Sequence, residues 1–342
     1  MQTASCSRKC LLSSRQAKAD VLRATKEFAK ESRARSWWHL VSTAFVLALA
    51  MAAAIMAPHW GLQLAASYLV GLTTVRFFIL FHDQQHGTIF RGSPTATAIF
   101  TFFGLATLNP PSAWKRSHDH HHVHNAKNFE QSIGTFPVMT TERFRLASRW
   151  ERALYGISRH PLTLLAGYVT VFLYSMTIKP LFTKPKRHWD CGVALLLHIV
   201  AVVALAIFAP GALVFAFLLP LIIASALGSY LFYSQHNYPG VKLNTPPKWD
   251  HVSAAICSSS YTKMGPVLGW FTGNIGYHHV HHLNARIPFY RLPEAMSKIS
   301  HLGSLRPIYL SVRDIRRCLS LKLWDEKRKR MVTYAAAARY SH

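Results

Sequence analysis

The chain has 342 residues, half of them hydrophobic and 15% charged, and Lys plus Arg outnumber Asp plus Glu by 39 to 14. That basic excess suits either nucleic acid or an anionic membrane surface. Apolar runs of about 20 residues exclude nucleic acid and leave anionic lipid head groups as the partner of the charge.

In chain order, residues 1–36 form a basic tail with nine Lys/Arg, expected to be helical over 17–31. It does not read as a signal peptide, because the apolar run behind it is long enough to stay in a membrane. Cys6 and Cys10 sit in this tail without the further ligands a zinc site needs. Runs 40–57 and 61–81 predict two spans joined by Pro58-His59-Trp60, a turn without Lys or Arg. Arg76 lies near enough to the second span's end to snorkel to the interface. Cytosolic loops are enriched in Lys/Arg, which puts the tail inside, His59 outside and His82 inside.

Run 94–108 has 15 residues, short for a span, and is expected to be re-entrant or interfacial. A His-rich stretch follows, then an Arg-dense, helix-like segment (Arg143, Arg145, Arg149, Arg152, Arg159). Run 162–178 is basic on both flanks, with Lys179, Lys184, Lys186 and Arg187 behind it, so it dips into the interface from one side. Runs 192–208 and 212–232 are joined only by Ala209-Pro210-Gly211 and form a hairpin. The fold class expected is an all-α polytopic membrane protein with four transmembrane helices, interfacial helices and a cytosolic His-rich cap. Its parts are a tail (1–36), a membrane domain (37–300) and a basic C-terminal tail (301–342), helical around Lys327–Arg330.

Three histidine clusters carry the chemistry: His82-Asp83-Gln84-Gln85-His86, His118-Asp119-His120-His121-His122 and His278-His279-Val280-His281-His282. On a helix, positions i, i+3 and i+4 share a face, so each cluster aims imidazoles at one point. Imidazole suits Fe, Zn, Cu and Ni alike. Eight such residues are too many for one ion and about right for two. His236 lies just past the last span, where it would face the clusters. His198 is mid-span, far in depth from them, and reads as packing. His120, His124 and His279 interleave the spacing as supporting or solvent-facing residues, and Asn274 is a further supporting candidate. Asp83 and Asp119 stand where a carboxylate could orient a neighbouring imidazole.

These boxes, together with residues 270–288 (WFTGNIGYHHVHHLNARIP), resemble the membrane fatty acid desaturases, specifically bacterial and cyanobacterial acyl-lipid desaturases, over about residues 35–300. The resemblance implies two Fe ions at the cytosolic face, held by His82, His86, His118, His121, His122, His278, His281, His282 and His236 as the ninth ligand. It further implies O2-dependent insertion of a cis double bond into a membrane-lipid acyl chain, at the bacterial inner membrane. Electrons come from a separate donor, ferredoxin-like or cytochrome b5-like; no HPGG motif of a fused donor is present. Many relatives have Cys-Gly where this chain has Gln84-Gln85. Animal stearoyl desaturases have Asn where this chain has Phe232. A related di-iron hydroxylase or monooxygenase acting on lipid or alkyl chains is the alternative; a metal or lipid transporter would place more ionisable groups at mid-membrane.

Overall fold

The structure is a computed structural model and describes residues 14–126, 136–243, 249–299, 302 and 305–339; Cys6 and Cys10 lie outside them. Among the described residues, four helical stretches are long and apolar enough to cross a membrane. They are α2 (Arg33–Met56), α3 (Trp60–Gln85), α10 (Trp189–Phe208) and the stretch Pro210–His236, built from α11 (Pro210–Ala212), a π-helical turn (Leu213–Leu218) and α12 (Leu219–His236). α3 is the central one, packed between α2 and α12. Gly71 allows that closeness, because a Cβ there would meet Ile223 at 2.8 Å.

α1 (Arg15–Ala24) leads in. It stops short of the helix expected through residue 31: Thr25 back-bonds to Leu22 O at 2.7 Å, and a 3-10 turn buries Phe28 in the core. Arg76 does not snorkel. It is buried, with Nε on Thr43 Oγ1 at 2.8 Å, NH1 on Trp270 O, and its guanidinium 3.9 Å from the Trp270 ring centre. The third cluster's leading segment packs over it, and that closes the route to the interface.

α4 (Pro94–Ala106) and α5 (Pro111–His124) form the next pair. Phe103 of α4 stacks on Phe77 and tilts against Phe81, so α4 lies against the His82 end of α3, as its length suggested. After α6 (Thr141–Leu146) and α7 (Arg149–Ser158), the chain dips through α8 (Pro161–Leu165), a π-helical run (Tyr168–Ile178) and α9 (Lys179–Thr183). Its start is tied by Arg159 to Asn237, next to His236. Its far end is tied by Thr177 to Leu108 and by Cys191 to Met176 O. Its start therefore meets the histidine-bearing end of α12, and its far end meets the first turn of α10. Between them Tyr168 reaches His198, and Gly167 lies so close to α12 that a Cβ would overlap Ser229.

The remaining helices, α13 (His251–Ser258), α14 (Pro266–Phe271), α15 (His278–Leu283), α16 (Leu292–Lys298), α17 (Val312–Ser320) and α18 (Tyr334–Arg339), cap the histidine side. Short strands staple this mostly helical cap. β1 (Met139–Thr140) runs parallel to β4 (Leu323–Asp325), which pairs antiparallel with β5 (Arg330–Val332); β2 (Thr262–Lys263) runs parallel to β3 (Ile308–Tyr309). The helix expected around 327–330 is instead the turn of the β4–β5 hairpin. Leu323, Trp324, Met331 and Val332 bury their side chains, and Asp325 caps the turn at Arg328 N.

Candidate metal centre

Four helices deliver the histidines. α3 ends on His82 and His86, α5 carries His118, His121 and His122, α12 ends on His236, and α15 carries His278, His281 and His282. Adjacent residues on a helix point about 100° apart. α5 therefore sends His118 and His122 one way and His121 the other, while α15 splits His281 from His278 and His282.

The result is two groups. In one, the ring nitrogens of His82, His86, His118, His122 and His281 all lie within 4.8 Å of one another; in the other, those of His121, His236, His278 and His282 do the same. Among the described residues, the nine histidines named from the sequence are the nine that converge. Nε2 atoms meet at 3.0 Å (His86–His118, His118–His122, His278–His282), 3.1 Å (His122–His281, His121–His282) and 2.9 Å (His236–His278). Two nitrogens bound side by side to one ion at about 2.1 Å would stand about 3 Å apart, so the donor set fits two shared metals.

Burial, and after it the neighbouring imidazoles, holds His118, His121, His122, His278, His281 and His282 well below the usual histidine range; His86 is lowered too, with Lys115 adding to the effect. These rings are neutral, as metal ligation requires. Two of the nine rings are oriented from behind. His82 Nδ1 faces Asp83 Oδ1 at 3.0 Å, and His236 Nδ1 faces Ser258 O at 2.9 Å, which directs each Nε2 lone pair inward. Asn274 donates to Phe289 O at 3.2 Å, supporting the segment whose Phe289 N–H binds Asp83.

The other candidates stand outside the two groups. Asp119 is half exposed and pairs with Lys115 at 3.0 Å. His120 and His124 stack on each other at 3.9 Å. His279 is fully buried beside Tyr261, with burial lowering it to about 4. His198 meets Tyr168 OH at 2.6 Å, away from the centre.

An apolar cavity, about 1110 Å³ counting its mouth, leads to both groups through His82, His118 and His278. Its walls come from α3 (Thr74, Val75, Phe78), the π-helical run (Val171, Phe172, Met176) and α12 from Leu221 to Gln235. From Leu221 to Gln235 that stretch of α12 spans about 21 Å at 1.5 Å per residue. Phe232 lines it, with its ring 5.3 Å from that of His121. Apart from Phe232, none of these wall residues was picked out from the sequence, where apolar residues in a span carry no mark of facing a cavity rather than lipid.

The profile of the family described as "Fatty acid desaturase" matches residues 58–312. Among similar proteins, a "Fatty acid desaturase" of Bacillus subtilis (strain 168) is 32% identical over 283 residues, covering 80% of this chain and 78% of the relative. An "sn-1 oleoyl-lipid 12-desaturase" of Anabaena variabilis is 21% identical over 292 residues, covering 80% and 79%. A "Fatty acid conjugase FAC2 A" of Calendula officinalis is 23% identical over 257 residues, covering 67% and 65%.

Proposed function

Since the chain belongs to the fatty acid desaturase family, we propose that it inserts a cis double bond into an acyl chain of a membrane lipid, using O2 and electrons from a separate carrier protein. The observation that carries this reading is the convergence of nine histidines, in a group of five and a group of four, on an apolar cavity. Two irons held there by His82, His86, His118, His122 and His281, and by His121, His236, His278 and His282, would supply the oxidising power that no side chain has. Overall, two hydrogens leave the acyl chain, the carrier gives two electrons with two protons, and O2 becomes two waters.

The residues of the chain do the rest. Val75, Phe78, Phe172 and Leu221 exclude water and hold the chain extended toward the histidines. Asp83 and the Ser258 carbonyl keep His82 and His236 in one orientation. The basic surface faces anionic head groups, with the histidine side toward the cytosol of a bacterial inner membrane.

Expression in a host with saturated lipids, followed by mass spectrometry of the fatty acids, tests the reaction. The expected product is lighter by two hydrogens. A product heavier by one oxygen would make the chain a hydroxylase instead.

A further inference from the structure

We propose that α7, with Leu146 of α6, is a docking site for the anionic surface of the bilayer, and that Arg159 carries the docked position to the turn bearing His236. Trp150, Leu154 and Ile157 follow helical spacing and form one stripe on α7, and Leu146 at the end of α6 is bare too; the four are 50% to 72% exposed. The opposite face is packed: Tyr155 is buried against the β4–β5 hairpin, and its hydroxyl donates to Lys322 O. α7 is thus held on one side and presents a bare apolar stripe on the other.

The charges beside the stripe identify the occupant. Arg143 is neutralised by Glu151 and Arg145 by Glu142. Arg149 and Arg152 are exposed or partly so, and among the described residues neither has an ion pair. A Trp-bearing apolar stripe flanked by the uncompensated Arg149, with Arg152 on the far face of the helix, fits the head-group layer of an anionic membrane. The stripe also continues along the chain into Leu162 and Leu165, exposed on α8, the segment that enters the membrane. A docking surface for a soluble protein would have no reason to run on in that way.

Arg159 closes α7 and is fully buried. Its guanidinium donates to Asn237 Oδ1 at 2.7 Å, Tyr233 OH at 3.0 Å and Pro137 O at 2.6 Å, and lies 4.9 Å from the Tyr233 ring centre. Asn237 follows His236 directly, so displacement of α7 pulls on that turn. This last link rests on His236 being a metal ligand, as the function proposed above requires.

Hydrogen exchange of residues 143–158, measured on the full-length protein in detergent, in phosphatidylcholine nanodiscs and in phosphatidylglycerol nanodiscs, tests the site. Slowest exchange is expected in phosphatidylglycerol. Arg149→Gln should cut that preference about fivefold, Arg152→Gln on the far face should cut it less, and Trp150→Ser/Leu154→Ser/Ile157→Ser should abolish the protection. Turnover should be higher in phosphatidylglycerol, and Arg159→Gln should remove that difference while α7 stays protected. Equal exchange in all three media, or protection gained only on adding an acidic ferredoxin, would overturn the site. Wild-type turnover indifferent to lipid charge would overturn the relay. The exchange readout needs no turnover, so lipid-dependent protection in a protein that makes no double bond would leave the site standing and remove the desaturase reading instead.

Discussion

Asp83 holds two groups at once: Oδ1 faces His82 Nδ1 at 3.0 Å, and Oδ2 accepts the Phe289 N–H at 2.7 Å. A carboxylate behind a ligating histidine raises its basicity and fixes its ring. Asp83→Asn keeps the shape but replaces one acceptor oxygen with an NH2 donor, and is expected to weaken iron retention by about 10- to 100-fold in a chelator competition. Asp119→Asn should leave iron retention unchanged, since an exposed pair with Lys115 is worth at most about 1 kcal/mol. Equal effects from the two variants would refute this division. In the sequence both aspartates follow the first histidine of a box, and nothing local separates them; Phe289, 206 residues beyond Asp83, makes the difference. His236 and His198 were separable, because depth along a span can be counted from the sequence. His236→Ala should lose iron and product. His198→Ala should cost only the Tyr168 hydrogen bond, about 1–2 kcal/mol. Retained activity in His236→Ala, or equal iron loss in both, would remove His236 from the centre.

At the scale of elements, α5 shows how a helix bearing three of the histidines is held in direction. It opens with Pro110-Pro111, and its N-cap proline offers no side-chain oxygen to the free N–H groups. Asp190, in the first turn of α10, supplies the cap from outside: Oδ2 accepts Ser112 N–H at 2.8 Å and Oδ1 accepts Ser112 Oγ–H at 2.5 Å. A negative group at a helix N-terminus is also favoured by the helix dipole. Asp190→Ala is expected to destabilise the protein by about 0.5–2 kcal/mol in a thermal melt and to loosen iron, with Asp190→Asn recovering part of both. An unchanged melt and unchanged iron content would show that α5 needs no external cap. Sequence spacing placed the histidines on α5 but could not show what fixes its start, because Asp190 lies 78 residues on. The β4–β5 hairpin was missed for a related reason. Lys327–Arg330 has the charge density of a solvated helix, and its strand character comes only from burying Trp324 and Met331 beneath it.

At the scale of the whole molecule, apolar run length found the four spans, because it follows from bilayer thickness, and the basic flanks of 162–178 predict a segment that dips in from one side. Cysteine labelling in sealed vesicles should find a position near Lys184 on the same side as Arg145 and Arg306. Labelling from the opposite side would make 161–183 a fifth span and break the placement of α10. The cavity was not legible, since it exists only where α3, α12 and the π-helical run face one another. Gly228 offers a way to test it apart from the metal centre. A Cβ there would sit 3.7 Å from the Phe172 ring, an ordinary contact, so Gly228→Ala should keep both iron and product. Gly228→Leu adds a branched side chain to the wall of a space that an acyl chain must enter. Overfilling a packed site typically costs about 1–3 kcal/mol, so the variant should still fold and hold two irons while its double-bond yield collapses. Full product from Gly228→Leu would mean that the acyl chain reaches the histidines by another path. Loss of iron along with product would mean that α12 moved, and the alanine variant then carries the comparison.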